Sequence, residues 1–226
     1  MSYHKENLKE QLIEIAWEIC NKESWQKVNM RKVAQKAKVS TTAFYRHFKN
    51  KNDLKAELMR RGYQIINEGR KNISTFSSYG AHYIRFGLDY PFIYDLMFGN
   101  IDLDLSLYPD LETESNEAFD GILEGLKPFM PDAAEKEIGI KAINIWASVH
   151  GLVGLLRNGD SHDSKSKDLQ WIKDNLEEYL EMIRNRYMTV LLDLKEKEIE
   201  EGIDFIKNNY PNHLVFQDTL TIKVFN

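Results

Sequence analysis

Leu8, Leu12, Ile15, Ala16, Ile19 and Cys20 recur three and four residues apart, and this spacing predicts an amphipathic helix ending near Asn21 to Ser24. A second, short helix is predicted from Met30 to Ala37, with Asn29 as its N-cap and Val33, Ala34 and Ala37 turned inward. After a brief turn at Lys38 and Val39, Ser40 is placed to cap a third helix over Thr41 to Phe48, on which Phe44 and Phe48 are i,i+4 neighbours facing the interior. A fourth helix is predicted beyond Asn50, through Leu54 and Leu58 toward Arg70, with Asp53 in its first turn where the macrodipole favours a carboxylate. The polar stretch Asn67 to Ser78 is the expected join between this head and a larger body.

In the body, Tyr79 to Tyr90 is predicted helical, and Pro91 suits the first turn of a short helix to Phe98. Gly99 to Pro109 is an irregular connection, Pro109 opens a helix to about Leu126, and Pro128 with Pro131 breaks the chain again. Two long seams follow. Ile138, Ala142, Ile145, Val149, Leu152 and Leu156 form the first; beyond the polar loop Gly159 to Ser166, Leu169, Ile172, Leu176, Leu180, Ile183, Tyr187 and Leu194 form the second. Such a hairpin is expected to keep apolar surface to bury, and a second copy of the chain is the simplest cover. Residues 195–201 read as a solvated helical run and 214–225 as a strand or hairpin; the role of this extension is open. The fold class is therefore all-α.

Composition adjusts this picture little. The 226 residues are 42% hydrophobic and 29% charged, with 12 Gly and 5 Pro, which suits a helical globular protein. Lone Cys20 excludes a disulfide framework and fits a reducing compartment, so a cytoplasmic location is expected. Met1 to Glu10 lacks the apolar region of a secretory signal, and no run approaches the roughly 20 consecutive apolar residues of a membrane span, so no membrane partner is expected.

Charge changes the picture more. The net charge is -5, yet residues 1–70 hold 15 Lys+Arg against 8 Asp+Glu, a net of +7, which leaves -12 on residues 71–226. Between Glu23 and Asp53 there is no carboxylate, while Lys27, Arg31, Lys32, Lys36, Lys38, Arg46, Lys49 and Lys51 all fall there. A basic cluster of this density is the electrostatic footprint of phosphate binding, although a solvated lysine-rich face has the same composition. Three short helices with a tight turn between the second and third make a helix-turn-helix, whose third helix enters the major groove. Its outward residues, Thr41, Thr42, Tyr45 and Arg46 with His47 and Lys49 at the end, suit base edges, thymine methyls and phosphate oxygens. Lys51 lies near the N-terminus of the fourth helix, where dipole and backbone N–H groups add to the attraction for a phosphate.

The run from Val28 to Leu54, with its Phe44-Tyr45-Arg46-His47-Phe48 core followed by Lys51, resembles the DNA-binding domain of the TetR family of bacterial transcriptional regulators. Tyr83 to Phe98 and Trp146-Ala-Ser-Val-His150-Gly151 resemble the C-terminal ligand-binding domain named for its Trp-His-Gly signature. The resemblance implies DNA-facing roles for Thr41, Thr42 and Tyr45, phosphate contacts for Tyr45, His47 and Lys51, and a DNA contact for Arg31; Ser40, Arg46 and Lys49 are further DNA-binding candidates from their place on or beside the third helix. It also implies an effector site in the body, for which Phe86, Phe92, Met97, Phe119, Trp146 and His150 are the candidates, with Phe98 in the same aromatic set. Ser24 and Lys38 stand where the family usually has glycine, and Asn29 where it usually has Thr or Ser; Lys38 is expected to adopt a left-handed turn.

The implied organisation is a DNA-binding domain over 1–50, a connecting helix over 51–70, a ligand-binding and dimerisation domain over 71–194 and an extension over 195–226. The implied partners are a double-stranded operator, a small hydrophobic or amphipathic effector and a second copy of the chain, paired through the two seam-bearing helices. The implied activity is repression relieved by the effector. An architectural DNA-binding protein without an effector, or a small-molecule-binding or catalytic protein with a non-functional head, are the alternatives. The six histidines lack metal-ligand spacing, and no Walker loop, nucleophile elbow or dinucleotide turn is present, so neither catalytic nor metal-binding residues nor a cofactor is expected.

Overall fold

A computed structural model describes residues 3–71, 73, 75–99, 103–158 and 166–183. Among the described residues every long regular element is an α-helix: α1 (Tyr3–Glu23), α2 (Met30–Lys36), α3 (Thr41–Tyr45), α4 (Lys51–Lys71), α5 (Phe76–Asp89), α6 (Pro91–Phe98), α7 (Pro109–Leu126), α8 (Glu135–Arg157) and α9 (Ser166–Asp174). The chain turns at Asn175 and is helical again over 176–183. The expected loop Gly159 to Ser166 lies almost wholly outside the described residues, as do Tyr187, Leu194 and the 195–226 extension.

Helices α1 to α3 and the start of α4 enclose one apolar interior. Leu12, Ala16, Ile19 and Cys20 of α1 meet Val33 and Ala34 of α2, Phe44 and Phe48, and Leu54 and Leu58 of α4, all buried. Both expected caps form: Asn29 Oδ1 accepts from the Arg31 amide at 2.8 Å and Ser40 Oγ from the Ala43 amide at 3.1 Å. Helix α3 is shorter than its periodicity predicts. The Phe44 carbonyl accepts from both the His47 amide at 2.9 Å and the Phe48 amide at 3.1 Å, so the last turn tightens, Arg46 and His47 leave the helix, and Phe48 still swings inward. Lys38 takes the expected left-handed conformation with φ 57°, and Ser24 also has positive φ, at 91°.

The join between head and body is shorter than the polar composition of Asn67 to Ser78 predicts, because α4 continues to Lys71 and α5 begins at Phe76. Asn67 is buried there. Its Nδ2 donates to the Glu114 carbonyl at 3.0 Å and to Glu114 Oε2 at 2.9 Å, so a polar residue tolerates the interior because α7 supplies acceptors. Gly62 of α4 lets the Met97 thioether of α6 fill the space a Cβ would take.

Helix α8 carries two apolar faces. Of the predicted seam, Ile138, Ala142, Val149, Leu152 and Leu156 are buried within the chain against α5 and α7, and Ile145 is half-buried and lines a cavity. The apolar surface left open is a different row, Ile140, Ile143 and Leu155, 41%, 54% and 58% exposed. The seam is thus intramolecular, and the apolar surface the hairpin was expected to keep lies on the neighbouring face of α8. Two apolar faces also explain why α8 is long and apolar enough to cross a membrane by length and composition, although no long unbroken apolar run is visible in the sequence.

Candidate functional site

The head presents its polar chemistry outward. Ser40, Thr41, Thr42, Tyr45, Arg46, Lys49 and Arg31 are exposed, while Phe44, between Ala43 and Tyr45, is wholly buried. Phe44 and Phe48 pack with ring centroids 5.3 Å apart, which fixes the rotation of α3 and turns Tyr45 to solvent. Ser40 spends its hydroxyl on the helix cap, and His47 is half-buried. Lys51 is folded down: its Nζ lies 4.5 Å from the Trp25 ring centroid and donates to the Trp25 carbonyl at 3.4 Å. Burial lowers the Lys51 pKa below its ordinary value, partly offset by Cys20, with a smaller further lowering from Lys55. Trp25 was not singled out by sequence, since nothing in periodicity shows that a residue 26 positions away seats the lysine.

Asp53 ties this end of α4 to the body. One carboxylate oxygen accepts from the Lys49 amide at 2.8 Å, and the other accepts from the Tyr108 hydroxyl at 3.2 Å, at the entry to α7.

The body carries a cavity of about 1050 Å³, open on one side, between α5, α7, α8 and the 176–183 helix. Phe76, Phe98, Phe119, Trp146 and Leu180 line it, so of the six sequence-based effector candidates Phe119 and Trp146 reach it. The other four do not line it. Phe86 is 3% exposed and packs on Tyr90, Met97 is fully buried against α4, and Phe92 faces elsewhere on α6. Phe86 and Met97 belong instead to the ordinary core, and Phe92 is half-buried outside it.

His150 stands one layer behind the cavity wall. Its Nε2 bonds the Tyr83 hydroxyl at 2.9 Å, its Nδ1 bonds the Tyr94 hydroxyl, and Trp146 Nε1 donates to the Tyr83 oxygen at 3.4 Å. A neutral imidazole has one donor and one acceptor nitrogen, matching two hydroxyls. Burial holds the His150 pKa below its usual value and raises those of Tyr83 and Tyr94, so all three are neutral at pH 7. Ring contacts of His150 with Phe98 at 4.7 Å and Trp146 at 4.9 Å complete the cluster. The network joins α5, α6 and α8, and a bidentate Arg157 to Asp95 pair, at 2.6 and 2.8 Å, adds a second link between α8 and α6. Tyr83 and Tyr94 were not recognised as partners of His150, because separations of 67 and 56 residues leave no local signal. Among the described residues no group of His, Cys, Asp and Glu is placed to hold a metal.

The family model described as bacterial regulatory proteins, tetR family, matches residues 12–58, and that described as tetracyclin repressor-like, C-terminal domain, matches residues 76–172. No curated protein matches the chain in sequence. Among solved structures, the chain is similar to a protein of unknown function from Rhodococcus sp. RHA1, with 18% identity over 76% of this chain and 94% of that chain and a TM-score of 0.60. It is similar to a possible TetR family transcriptional regulator from Streptomyces coelicolor A3(2), with 14% identity, 80% and 99% coverage and a TM-score of 0.54. A transcriptional regulator from Rhodococcus sp. Rha1 is similar at 16% identity, 77% and 95% coverage and a TM-score of 0.54. Identities this low speak for the fold; the two family matches, which fall on the head and on the cavity-bearing body, speak for the lineage. A helix-turn-helix that anchors Phe44 inward and Tyr45 outward, joined to a helical body of the tetracycline-repressor type, makes this chain a member of the TetR family and a DNA-binding transcriptional regulator.

Proposed function

We propose that a homodimer of this chain represses transcription from a pseudo-palindromic site and leaves it when a small hydrophobic or amphipathic effector occupies the body. The observation that carries the DNA half is the exposed row Thr41, Thr42 and Tyr45, on a helix anchored by Phe44 and set in a segment without carboxylates from Ser24 to Asn52. Thr41, Thr42 and Arg46 are assigned to base edges; Arg31, Tyr45, His47, Lys49 and Lys51 to phosphates; and Ser40 to the helix start beside them. Two such heads read successive major grooves about 34–36 Å apart. The organisation is a head over 1–50, a connecting helix over 51–70 and a body over 71–194.

Pairing through α8 and the helical segments after it is supported by the open row Ile140, Ile143 and Leu155 and by Met182, 57% exposed. The cavity favours an effector-responsive regulator over an architectural protein, which has no use for one. An effector with higher affinity for one head spacing than the other lowers DNA affinity by that difference. Selection of genomic fragments by the purified full chain tests the reading. Enrichment of a two-fold-symmetric site is expected, and the absence of any enriched sequence would overturn it.

A further inference from the structure

The cavity wall is graded in depth and in chemistry. Its deeper part is apolar and aromatic, with Tyr83 and Val149 buried and Phe98, Phe119 and Trp146 half-buried. Its outer part carries polar groups on α8. Lys141 is half-buried there, Asn144, three residues on and so on the same face of the helix, is exposed, and both line the cavity. The two side chains end in an ammonium and a carboxamide, donors that the two oxygens of one carboxylate can accept from together.

The charge of this wall runs against that of the body around it. Residues 71–226 hold 27 Asp+Glu, yet no described lining residue is a carboxylate, and the one charged side chain on the described wall is Lys141. A ligand cation entering here would lose water beside a like charge and gain no counter-charge from the described wall. An anionic head at the outer end finds the ammonium and keeps its far side in water. We infer that the cavity takes an amphipathic organic anion, its apolar body among Phe98, Phe119 and Trp146 and its carboxylate held at the outer end by Lys141 with Asn144. This rests on the proposed effector role of the cavity and assigns the chemical class of the effector. Lys141 has a contact of its own within the chain, so the anionic head adds to that partner or exchanges with it. The gain is therefore that of a partly exposed ion pair, a few-fold in affinity rather than orders of magnitude.

Three probes matched in size test the class: 1-pyrenebutyrate, 1-pyrenebutanol and 4-(1-pyrenyl)butylammonium. Each is titrated into the full chain at about 0.15 M salt, where charges more than about 8 Å apart are largely screened and the acidic exterior contributes little. Binding is read from pyrene emission and from quenching of tryptophan. Wild type is expected to bind the butyrate roughly two- to fivefold more tightly than the alcohol, the worth of a partly exposed ion pair, and the ammonium more weakly than the alcohol. Lys141→Gln is expected to bring the butyrate down to the affinity of the alcohol. Alcohol affinity itself should not change, which shows that fold and cavity survive the substitution, and Lys141→Arg should keep the preference for the butyrate. Equal affinity for butyrate and alcohol in wild type, or tightest binding of the ammonium, would overturn the anion assignment and leave the effector reading standing. A butyrate preference that persists in Lys141→Gln, or an equal loss of all three probes there, would overturn the role of Lys141 in the same way. Binding of none of the three by wild type would reject the effector reading of the cavity itself.

Discussion

The head and the body of this chain arrange polarity in opposite ways. The head is filled with Leu12, Ile19, Phe44, Phe48 and Leu54 and wears its chemistry outside as Thr41, Thr42, Tyr45, Arg46 and Lys49. The body keeps its chemistry inside: His150 bonds the Tyr83 and Tyr94 hydroxyls, and Trp146, in the cavity wall, donates to Tyr83. A surface that reads a polyanion needs charges spread over one short stretch of chain. An interior that selects a small molecule needs groups converging from distant helices, and that convergence leaves space unfilled.

The sharpest way to break this contrast is to delete an aromatic from each region. Phe44→Ala empties a filled core and is expected to cost about 3–5 kcal/mol, melting the head and abolishing DNA binding. Phe119→Ala enlarges a space that already exists, so its cost is expected to be below about 2 kcal/mol. Equal destabilisation of the two variants in urea would show that the body is as tightly packed as the head.

Lys51→Ala probes the charged surface. It is expected to weaken binding to all duplexes by about tenfold and to reduce the slope of log affinity against log salt by about one. Unchanged affinity and slope in fluorescence anisotropy would reject the phosphate contact and leave Lys51 as a partner of Trp25 alone.

Tyr108→Phe tests the seam between the regions. Losing the bond to Asp53 is expected to cost about 1 kcal/mol or less, and under the proposed mechanism to reduce effector-induced release more than DNA affinity itself. Release identical to wild type would separate α7 from the head.

The smallest expected effect concerns pH. Burial depresses the His150 pKa, so the unfolded chain takes up a proton near pH 6.5 while the folded chain does not. The stability held by neutral His150 is therefore full above pH 6.5 and is lost as pH falls below it toward the folded-state value. The melting temperature of wild type minus that of His150→Gln should narrow between pH 7.5 and 5.5. A constant difference would show that His150 titrates alike in both states.

Legibility in the sequence followed the same division. Helix positions in the head, both caps and the inward Phe44 and Phe48 were readable because each depends on residues within one or two turns. The left-handed turn at Lys38 was readable too, from a residue standing where glycine is usual. The end of α3 was missed, since a carbonyl shared between two amides leaves no mark on hydrophobic period. In the body, helix identity was legible but orientation was not. The α8 seam was correct as a stripe, yet which of its two apolar faces meets the chain's own α5 and α7 depends on partners far away in sequence. Phe86 and Met97 have the helical spacing of core and proved to be core; Lys141, which has no hydrophobic signature, lines the cavity.

Ser24 has one further consequence for how such a head evolves and can be engineered. With φ 91° and ψ 163° it occupies a region nearly reserved for glycine, at a cost of order 1–3 kcal/mol. That strain is a withheld reserve. Ser24→Gly would release part of it at the connection between α1 and α2, outside the recognition helix in sequence, and so give latitude to explore recognition-helix changes that would otherwise unfold the domain.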